Sequence, residues 1–179
     1  MGYCISNALK GISTDCSGSL GGIKQVLIAL YDDDMYTISA GTDGVDAVTA
    51  IKSGVTWYQF DFRPETSNFT STLNRSDAGG SYVTTDIALV FSRMDASKRI
   101  EMNALALDDM AVVVIDNNDE YHAFGRWLPV TASAGTGETG TAFGDSNQYT
   151  VTLHATDKDF APMFSEDAKT AIKSQIAKD

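Results

Sequence analysis

Alternation of apolar and polar residues dominates the middle of the chain. Within residues 55–63, 66–75 and 82–92 one parity holds large apolar side chains and the other holds most of the polar ones. The apolar parity consists of Tyr58, Phe60 and Phe62, then Phe69 and Leu73, then Val83, Ile87, Leu89 and Phe91. Such alternation predicts strands with one buried side and one wet side, and three of them in succession predict an antiparallel sheet covered on one face only. The residues expected on the wet face are Gln59, Asp61, Thr70, Thr72, Thr84 and Asp86.

Further strands are predicted on both sides of this region. Residues 22–31 and 35–40 flank an Asp32-Asp33-Asp34 turn and predict a hairpin, and residues 111–127 predict a second hairpin around the polar turn at 116–119. Residues 148–156 alternate again and predict a last strand. Residues 45–52 are too brief a pattern to decide between a short helix and irregular structure.

Two helices are predicted, each with a recognisable N-cap. Asp95 caps a helix through about residue 107, and Ile100, Ala104 and Leu107 have the spacing of one apolar face. Ser165 caps a C-terminal helix with acidic residues in its first turn and lysines later, the order that suits the helix dipole. Its apolar stripe is thin, so it could dock late or only on another subunit; the stripe consists of Ala171, Ile172 and Ile176.

The organisation expected from these elements is a single mainly β domain. It consists of an extended N-terminal arm over residues 1–22, a β-sandwich over 23–164 and the C-terminal helix over 165–179. The arm is rich in Gly, Ser and Asn, and a predicted loop over 131–145 is also rich in small residues. We expect both segments to be mobile in an isolated subunit and ordered by a neighbour in an assembly.

Charge and hydropathy exclude several classes of protein. Thirteen basic against 24 acidic side chains give a formal charge of −11, which repels phosphate backbones and makes tight nucleic-acid binding unexpected. The same repulsion suits a channel that DNA crosses without sticking. The longest apolar runs are far shorter than the roughly 20 residues of a membrane span, and the N-terminus lacks the pattern of a secretory signal. We therefore expect assembly in a cytoplasm.

Cys4 and Cys16 lack the spacing and the histidine neighbours of a metal site. Two free thiols are the expected state in a reducing compartment, and a bridge that staples the arm is the alternative.

No motif in the chain predicts catalysis, a metal or a cofactor. The run from Gly135 to Gly140 matches the dinucleotide fingerprint GxGxxG, but a Thr/Tyr/Val-rich strand follows it where that fold needs a helix, so a flexible loop is expected. The acidic turns lack the ligand spacing of a calcium loop. His122 and His154 lie on predicted strands without a nucleophile elbow, although a triad can be assembled in space. Trp57 and Trp127 could stack on a sugar, but core or interface anchors are the commoner use.

Three segments, in this order, resemble tailed-bacteriophage tail tube proteins. They are Met94-Asp95-Ala96-Ser97-Lys98-Arg99 after a long strand, the Val-Val-Val-Ile-Asp-Asn-Asn hairpin at 112–118, and Gly140-Thr-Ala-Phe-Gly-Asp-Ser-Asn-Gln-Tyr149 before the last strand. The resemblance extends over about residues 55–164 and includes the N-terminal arm. It implies a virion structural protein, with a β-sandwich and a flanking helix, that forms six-fold rings.

In that family one sheet of each subunit closes into a continuous barrel around a DNA channel, and arms and loops join stacked rings. The resemblance thus implies a homohexamer without enzymatic activity, active in viral tail assembly and DNA ejection, with other tail or neck proteins as partners. The wet face predicted above becomes the candidate lumen. The candidate inter-subunit residues are Cys4, Leu9, Leu20, Thr136 and Phe143.

The C-terminal helix departs from the family pattern. It leaves open a related neck, connector or tail-completion role. A decoration or carbohydrate-binding sandwich is the alternative from another class, and a hydrolase is a more distant one.

Overall fold

A computed structural model of the chain describes residues 18–40, 46–77 and 79–177. Cys4, Leu9 and Cys16 lie outside the described residues. The chain is mainly β, with two open sheets and two helices. The elements are β1 (Ile23–Leu30), β2 (Tyr36–Ala40), β3 (Asp46–Ile51), β4 (Tyr58–Asp61), β5 (Asn68–Arg75), β6 (Ser81–Ser92), α1 (Ala96–Leu105), β7 (Met110–Asp116), β8 (Tyr121–Phe124), β9 (Thr131–Glu138), β10 (Gln148–Asp157), β11 (Met163–Phe164) and α2 (Glu166–Ser174).

The two sheets pack face to face. The larger sheet has the strand order β2-β3-β11-β8-β7-β1-β4, and the smaller sheet has the order β5-β6-β10-β9. One hydrophobic core lies between them, with Val26, Val112 and Phe124 from the larger sheet and Ile87 and Leu153 from the smaller. The predicted mainly β fold is confirmed, and within the described residues neither sheet closes into a barrel.

A second core lies on the opposite face of the larger sheet. Leu27 of β1 and Val113 of β7 point into it, and Ala168 and Ile172 of α2 cover it, each of these two fully buried. Residues 111–115 form an unbroken apolar run because β7 has a hydrophobic core on each face, so none of its side chains in this run faces water. The C-terminal helix therefore belongs to the same packed body as the sandwich.

Both predicted N-caps are confirmed. The Asp95 side chain accepts a hydrogen bond from the Lys98 backbone N–H at 2.8 Å, and the Ser165 hydroxyl accepts one from Ala168 at 3.3 Å. The Lys98 backbone N–H and the Ser97 hydroxyl both donate to the Asp95 carboxylate and lower its pKa to about 2. Lys169 of α2 donates to Glu120 at 3.0 Å and to Glu166 at 2.9 Å, so the helix is fastened to the β7–β8 turn.

The apolar face predicted for α1 is wrong. Ile100 is 62 % exposed, Leu107 just beyond the helix is 86 % exposed, and Ala104 is also exposed. Leu105 is the one buried residue of the helix, with Met102 partly buried against the first core. The helix lies at the side of the sandwich, and only a narrow stripe of its surface reaches the core.

Two predicted strand partnerships are also wrong. β2 pairs with β3 at the far edge of the sheet, not with β1, whose two sides are taken by β7 and β4. β1 occupies this inner position because it is apolar on both faces. β4 likewise joins the larger sheet, so the three alternating segments of the centre do not form one sheet. Alternation indicates a strand's faces but not its neighbour.

Two segments expected to lack strands contain them. Residues within 45–52 form β3, and the first half of the predicted loop 131–145 forms β9, paired along its length with β10. The small side chains of β9 have weak strand propensity, but cross-strand hydrogen bonds and contact with β10 compensate. The predicted hairpin of β7 and β8 and the predicted last strand, β10, are both confirmed.

Candidate functional site

The candidate site is the outward face of the four-stranded sheet, called the outer face below. Thr70 and Thr72 of β5 lie on it, directly opposite Asp86 and Thr84 of β6. Thr70, Thr72 and Asp86 are exposed and Thr84 is half-buried. The opposite parity faces the core, where Ile87 is fully buried. The predicted parity of these four residues is confirmed.

The outer face continues with the same chemistry across β10 and β9. Thr152 and His154 of β10 lie opposite Ala88 and Asp86 of β6, and Thr150 of β10 lies opposite Thr136 of β9. Threonine is favoured on a half-buried pleated surface, and its hydroxyl suits contact with water. The outer face is therefore uncharged over most of its area and rich in hydroxyl groups.

Hydrogen bonds between neighbouring strands fix several of these side chains. Asn74 Nδ2 donates to Thr84 Oγ1 at 2.9 Å. Asp86 Oδ1 lies 2.7 Å from His154 Nδ1, and His154 Nε2 lies 3.4 Å from Thr156 Oγ1. The sequence shows neither the Asn74–Thr84 pair nor the Asp86–His154 pair, because both depend on the register of β6 with its neighbours. The sequence shows the alternation of β10 but not that the polar side of β10 continues the polar side of β5 and β6, which follows from the register of β10 with β6.

Asp86, His154 and Thr156 have the order of a catalytic triad, but their surroundings do not suit hydrolysis. The Asp86 side chain is 63 % exposed and that of His154 is 39 % exposed, on an open sheet. A triad needs a nucleophile held near its base, donors for the developing oxyanion and exclusion of water. The 3.4 Å separation at Thr156 is long for proton transfer. The three residues are better described as a polar network of the outer face.

Gln59 and Asp61 do not belong to the outer face. They lie on β4, opposite Leu27 and Gln25 of β1, on the side of the larger sheet that carries the second core. Asp61 accepts hydrogen bonds there from Gln25 at 2.8 Å and from Gln59 at 3.1 Å. The six residues predicted for one wet face are thus divided between two sheets.

The described inter-subunit candidates lie at three separate places. Leu20 is 67 % exposed, and its backbone N–H and C=O are both bonded to the Asn118 side chain at 2.9 Å. Thr136 lies on β9, at the edge of the smaller sheet. Phe143 is fully exposed in the loop that joins β9 to β10. That loop is closed by Asp145, whose carboxylate accepts from the Thr141 and Ala142 N–H groups.

Both edges of the smaller sheet are free of strand partners within the described part of the chain. β5 forms one edge and β9 the other, and each is eight residues long. Every pairing in the sheet is antiparallel, so β5 and β9 run in opposite directions. Long open edges promote pairing with another chain.

The other candidate groups have structural roles. His122 is 8 % exposed, lies 3.3 Å from Asp116 Oδ2 and packs on Phe69. Burial opposes ionisation of Asp116, but N–H donors from Glu120 and Asn118 outweigh it and lower its pKa. Trp57 is fully buried in the second core, so it cannot stack on a ligand. Trp127 is 44 % exposed, with Lys158 Nζ 3.8 Å from its ring centre.

The glycine-rich run at 135–140 lies in antiparallel structure. β9 ends at Glu138, and a loop leads from it into strand β10, with no helix between them. A dinucleotide site needs the glycines at the start of a helix. The sequence predicted a flexible loop for this run, but residues 135–138 belong to strand β9 and only residues 139 and 140 lie in the loop that follows.

Metal and membrane sites were searched among residues 18–40, 46–77 and 79–177. Within these ranges no group of three or more His, Cys, Asp and Glu side chains is arranged to hold a metal ion. No helix in them is both long and apolar enough to span a bilayer.

No protein-family model matches the chain, and no curated protein matches it with significant similarity.

Proposed function

We propose that this protein is a non-enzymatic virion structural protein, a tail tube subunit that closes into six-membered rings and stacks around a DNA channel. The observation that carries the proposal is the open smaller sheet. It has a hydroxyl-rich outer face and two edge strands that run in opposite directions and have no strand partner among the residues that the structure describes. The ordered resemblance of three sequence segments to tail tube proteins supplies the biological setting.

Strand direction supports closure into a ring. When β5 of one copy lies beside β9 of the next, the antiparallel pattern continues across the boundary. This contact is head to tail, and such contacts repeat until a ring closes. Closure would leave the smaller sheet without open edges, which removes an aggregation hazard.

The chemistry of the outer face supports a lumen. Thr70, Thr72, Thr84 and Thr150 present hydroxyls, and Asp86 adds a carboxylate whose Oδ1 lies 2.7 Å from His154 Nδ1. Without lysine or arginine on this face, DNA phosphates would meet no cation to bind, and the net charge of −11 repels them. DNA would pass through transiently. In this proposal Gln59 and Asp61 lie away from the lumen.

The test is assembly of the purified full chain, followed by mass photometry and negative-stain microscopy. We expect six-membered rings, or short tubes at high concentration. A chain that stays monomeric at high concentration, alone and beside its virion partners, would overturn the proposal. Single rings that never stack would point to the neck or connector role, since both roles share ring closure.

Two proline variants sharpen this test. Along the edge strand β5, successive backbone N–H groups point alternately toward β6 and away from the sheet. Of the two variants Thr70→Pro and Ser71→Pro, one therefore loses a hydrogen bond to β6. The other, called the outward variant, loses only an N–H group that points away from the sheet. The outward variant should remain folded by circular dichroism and fail to form rings. Rings formed by both folded variants would contradict pairing through β5.

A carbohydrate-binding role is the second candidate, and the half-exposed Trp127 is the observation that favours it. A sugar stacking on this ring would have to displace Lys158 and Arg126, whose cations lie 3.8 and 4.7 Å from the ring centre. A glycan array distinguishes the two functions. Glycan binding that is lost in Trp127→Ala would support this role, and an array without hits would remove it.

A further inference from the structure

A groove runs along the core side of the free edge strand β9. It has a volume of about 400 Å³ and lies between that strand and helix α1. Gly135 and Val151 contribute to its floor, and Met102 and Ala106 contribute to its wall. The groove is apolar and opens at the side of the sandwich where the smaller sheet ends.

Gly135 keeps this groove open without serving the fold of its own chain. A Cβ at this position would lie 3.6 Å from the Thr150 carbonyl oxygen and 3.9 Å from Val151 Cγ2, which are ordinary contacts. Its backbone does not have the positive φ that favours glycine. Gly137 differs, because a Cβ there would come within 2.9 Å of the Tyr149 ring. A side chain at residue 135 would therefore be tolerated by the monomer but would fill the groove.

We propose that the groove receives Leu73 from a second copy of this chain, whose strand β5 adds to β9. This inference rests on the proposed function, and it names the residues by which neighbouring copies recognise each other. Leu73 lies on the core-facing parity of β5, opposite buried Val83, yet it is 58 % exposed. A leucine on the core side of a sheet is normally covered, whereas the described residues of its own copy leave Leu73 exposed.

The faces of the two strands match in this arrangement. Ala132, Gly135 and Gly137 lie on the core side of β9, opposite Leu153, Val151 and Tyr149. In a continuous sheet the core-side residues of an added strand point to this same side. Full antiparallel overlap of the two eight-residue strands places Ser71 opposite Gly135. Leu73 then lies opposite Ser133, the bulge residue of β9 between Ala132 and Ala134, which also lines the groove.

The charges of the two copies are complementary where β9 begins, since Arg75 of one copy would lie near Asp108 and Asp109 of the other. Arg75, two residues beyond Leu73 on the same parity, would lie level with Thr131, where β9 begins. The preceding residue, Val130, is hydrogen-bonded in both directions to Met110, at 2.8 and 2.9 Å. Asp108 and Asp109 directly precede Met110 in the chain, so their carboxylates lie near the start of β9. The C-terminus of α1 lies there too, and its last turn contains no basic residue.

The experiment compares two variants with matched controls. Gly135→Val fills the groove, and Leu73→Ser removes its occupant. The controls carry changes on the outer face. Ala134→Val adds a valine to the outer side of β9, and Thr72→Ser changes a side chain on the outer side of β5. All four should melt close to the wild type. Loss of one buried leucine per contact should raise the half-assembly concentration by about ten-fold or more for the two test variants and leave the controls unchanged.

Mixing the two test variants checks the head-to-tail geometry. The Gly135→Val copy keeps Leu73, and the Leu73→Ser copy keeps an open groove, so these two halves form one intact contact. The opposite contact would join a filled groove to a strand without Leu73, so it carries both defects. The mixture should give heterodimers without closed rings. If wild-type chains form rings and the folded Gly135→Val and Leu73→Ser variants assemble at the same concentration, the inference is wrong and the proposed function stands. If wild-type chains form no rings, the proposed function itself fails.

Discussion

The fold changes the ionisation of Asp157. This residue lies at the end of β10, and its Oδ1 atom is buried without a hydrogen-bond partner. Burial raises the pKa of this carboxyl from 3.8 to about 6, because its cost exceeds the opposing effects of the Trp127 N–H and the Arg126 guanidinium. At neutral pH the folded protein therefore holds an unfavourable charge at this position.

Asp157→Asn should stabilise the protein at neutral pH and not at low pH. Because the pKa is higher in the folded state, the folded protein keeps a proton that the unfolded chain has released between pH 3.8 and about 6, and stability falls as pH rises through this window. Asparagine removes the charge and keeps an acceptor for Trp127. Thermal melts should show a gain of roughly 2 to 4 °C near pH 7.5 that disappears near pH 3.5.

Asp77→Asn is the control, since Asp77 is an exposed carboxylate in the β5–β6 turn. A gain of equal size at both pH values, or the same gain in the control, would contradict burial of the Asp157 charge as the cause.

The two helices differ at the scale of the element. Both begin with a side-chain cap, but α2 buries Ala168, Lys169 and Ile172, whereas α1 buries only Leu105. α2 therefore contributes to the second core, and α1 leaves most of its surface at the side of the sandwich. Helix capping alone does not distinguish them, because packing supplies most of the stability of a helix in a protein.

The same substitution in each helix should give very different results. Ile172→Ala should lower the free energy of unfolding by about 2 to 5 kcal/mol, because Ile172 is fully buried and its truncation leaves a cavity. Ile100→Ala removes a side chain that is 62 % exposed and should change stability by no more than about 0.5 kcal/mol. Urea unfolding of the monomer measures both. Equal losses would contradict the exposed position of Ile100.

Charge acts at the scale of the whole molecule. Each copy carries a formal charge of −11, so copies repel one another before they make contact. One exposed pair such as Arg75 with Asp108 contributes only about 0 to 1 kcal/mol, which is too little to reverse this repulsion. Assembly should therefore depend on salt.

Ring formation should require less protein as salt increases. Raising the ionic strength from about 10 mM to about 150 mM shortens the Debye length from about 30 Å to about 8 Å, which screens repulsion between copies. The half-assembly concentration, measured by light scattering, should fall over this range. A rise would mean that ion pairs across the contact outweigh the net charge.

Local patterns predicted elements well where the cause is local. Asp95 and Ser165 cap their helices because a short polar side chain reaches the free N–H groups of the next turn. The parity of Thr70, Thr72, Thr84 and Asp86 was also readable, because side chains alternate strictly along a strand. The run at 111–115 correctly predicted a strand. In each case the deciding interaction lies within a few residues of the sequence.

The sequence did not reveal strand partners, helix orientation or the strand at 131–138. Alternation in β4 looks the same whether it pairs with β5 or with β1, and this choice moved Gln59 and Asp61 away from the other four wet residues. The apolar spacing of Ile100, Ala104 and Leu107 suggested a buried face, but the sandwich is in contact with Leu105 instead. β9 has little strand propensity of its own and depends on β10 for its hydrogen bonds.

By itself the sequence determined an acidic, mainly β chain with alternating faces, capped helices and no local catalytic motif, since these properties depend on composition and near neighbours. Only the tertiary structure decided which face became the outer face, which edges stayed open, and that Asp86 meets His154 and Gly135 opens a groove beside α1. The physical reason is that pairing register and edge position depend on contacts between residues far apart in the chain. A local pattern constrains such contacts without selecting among them.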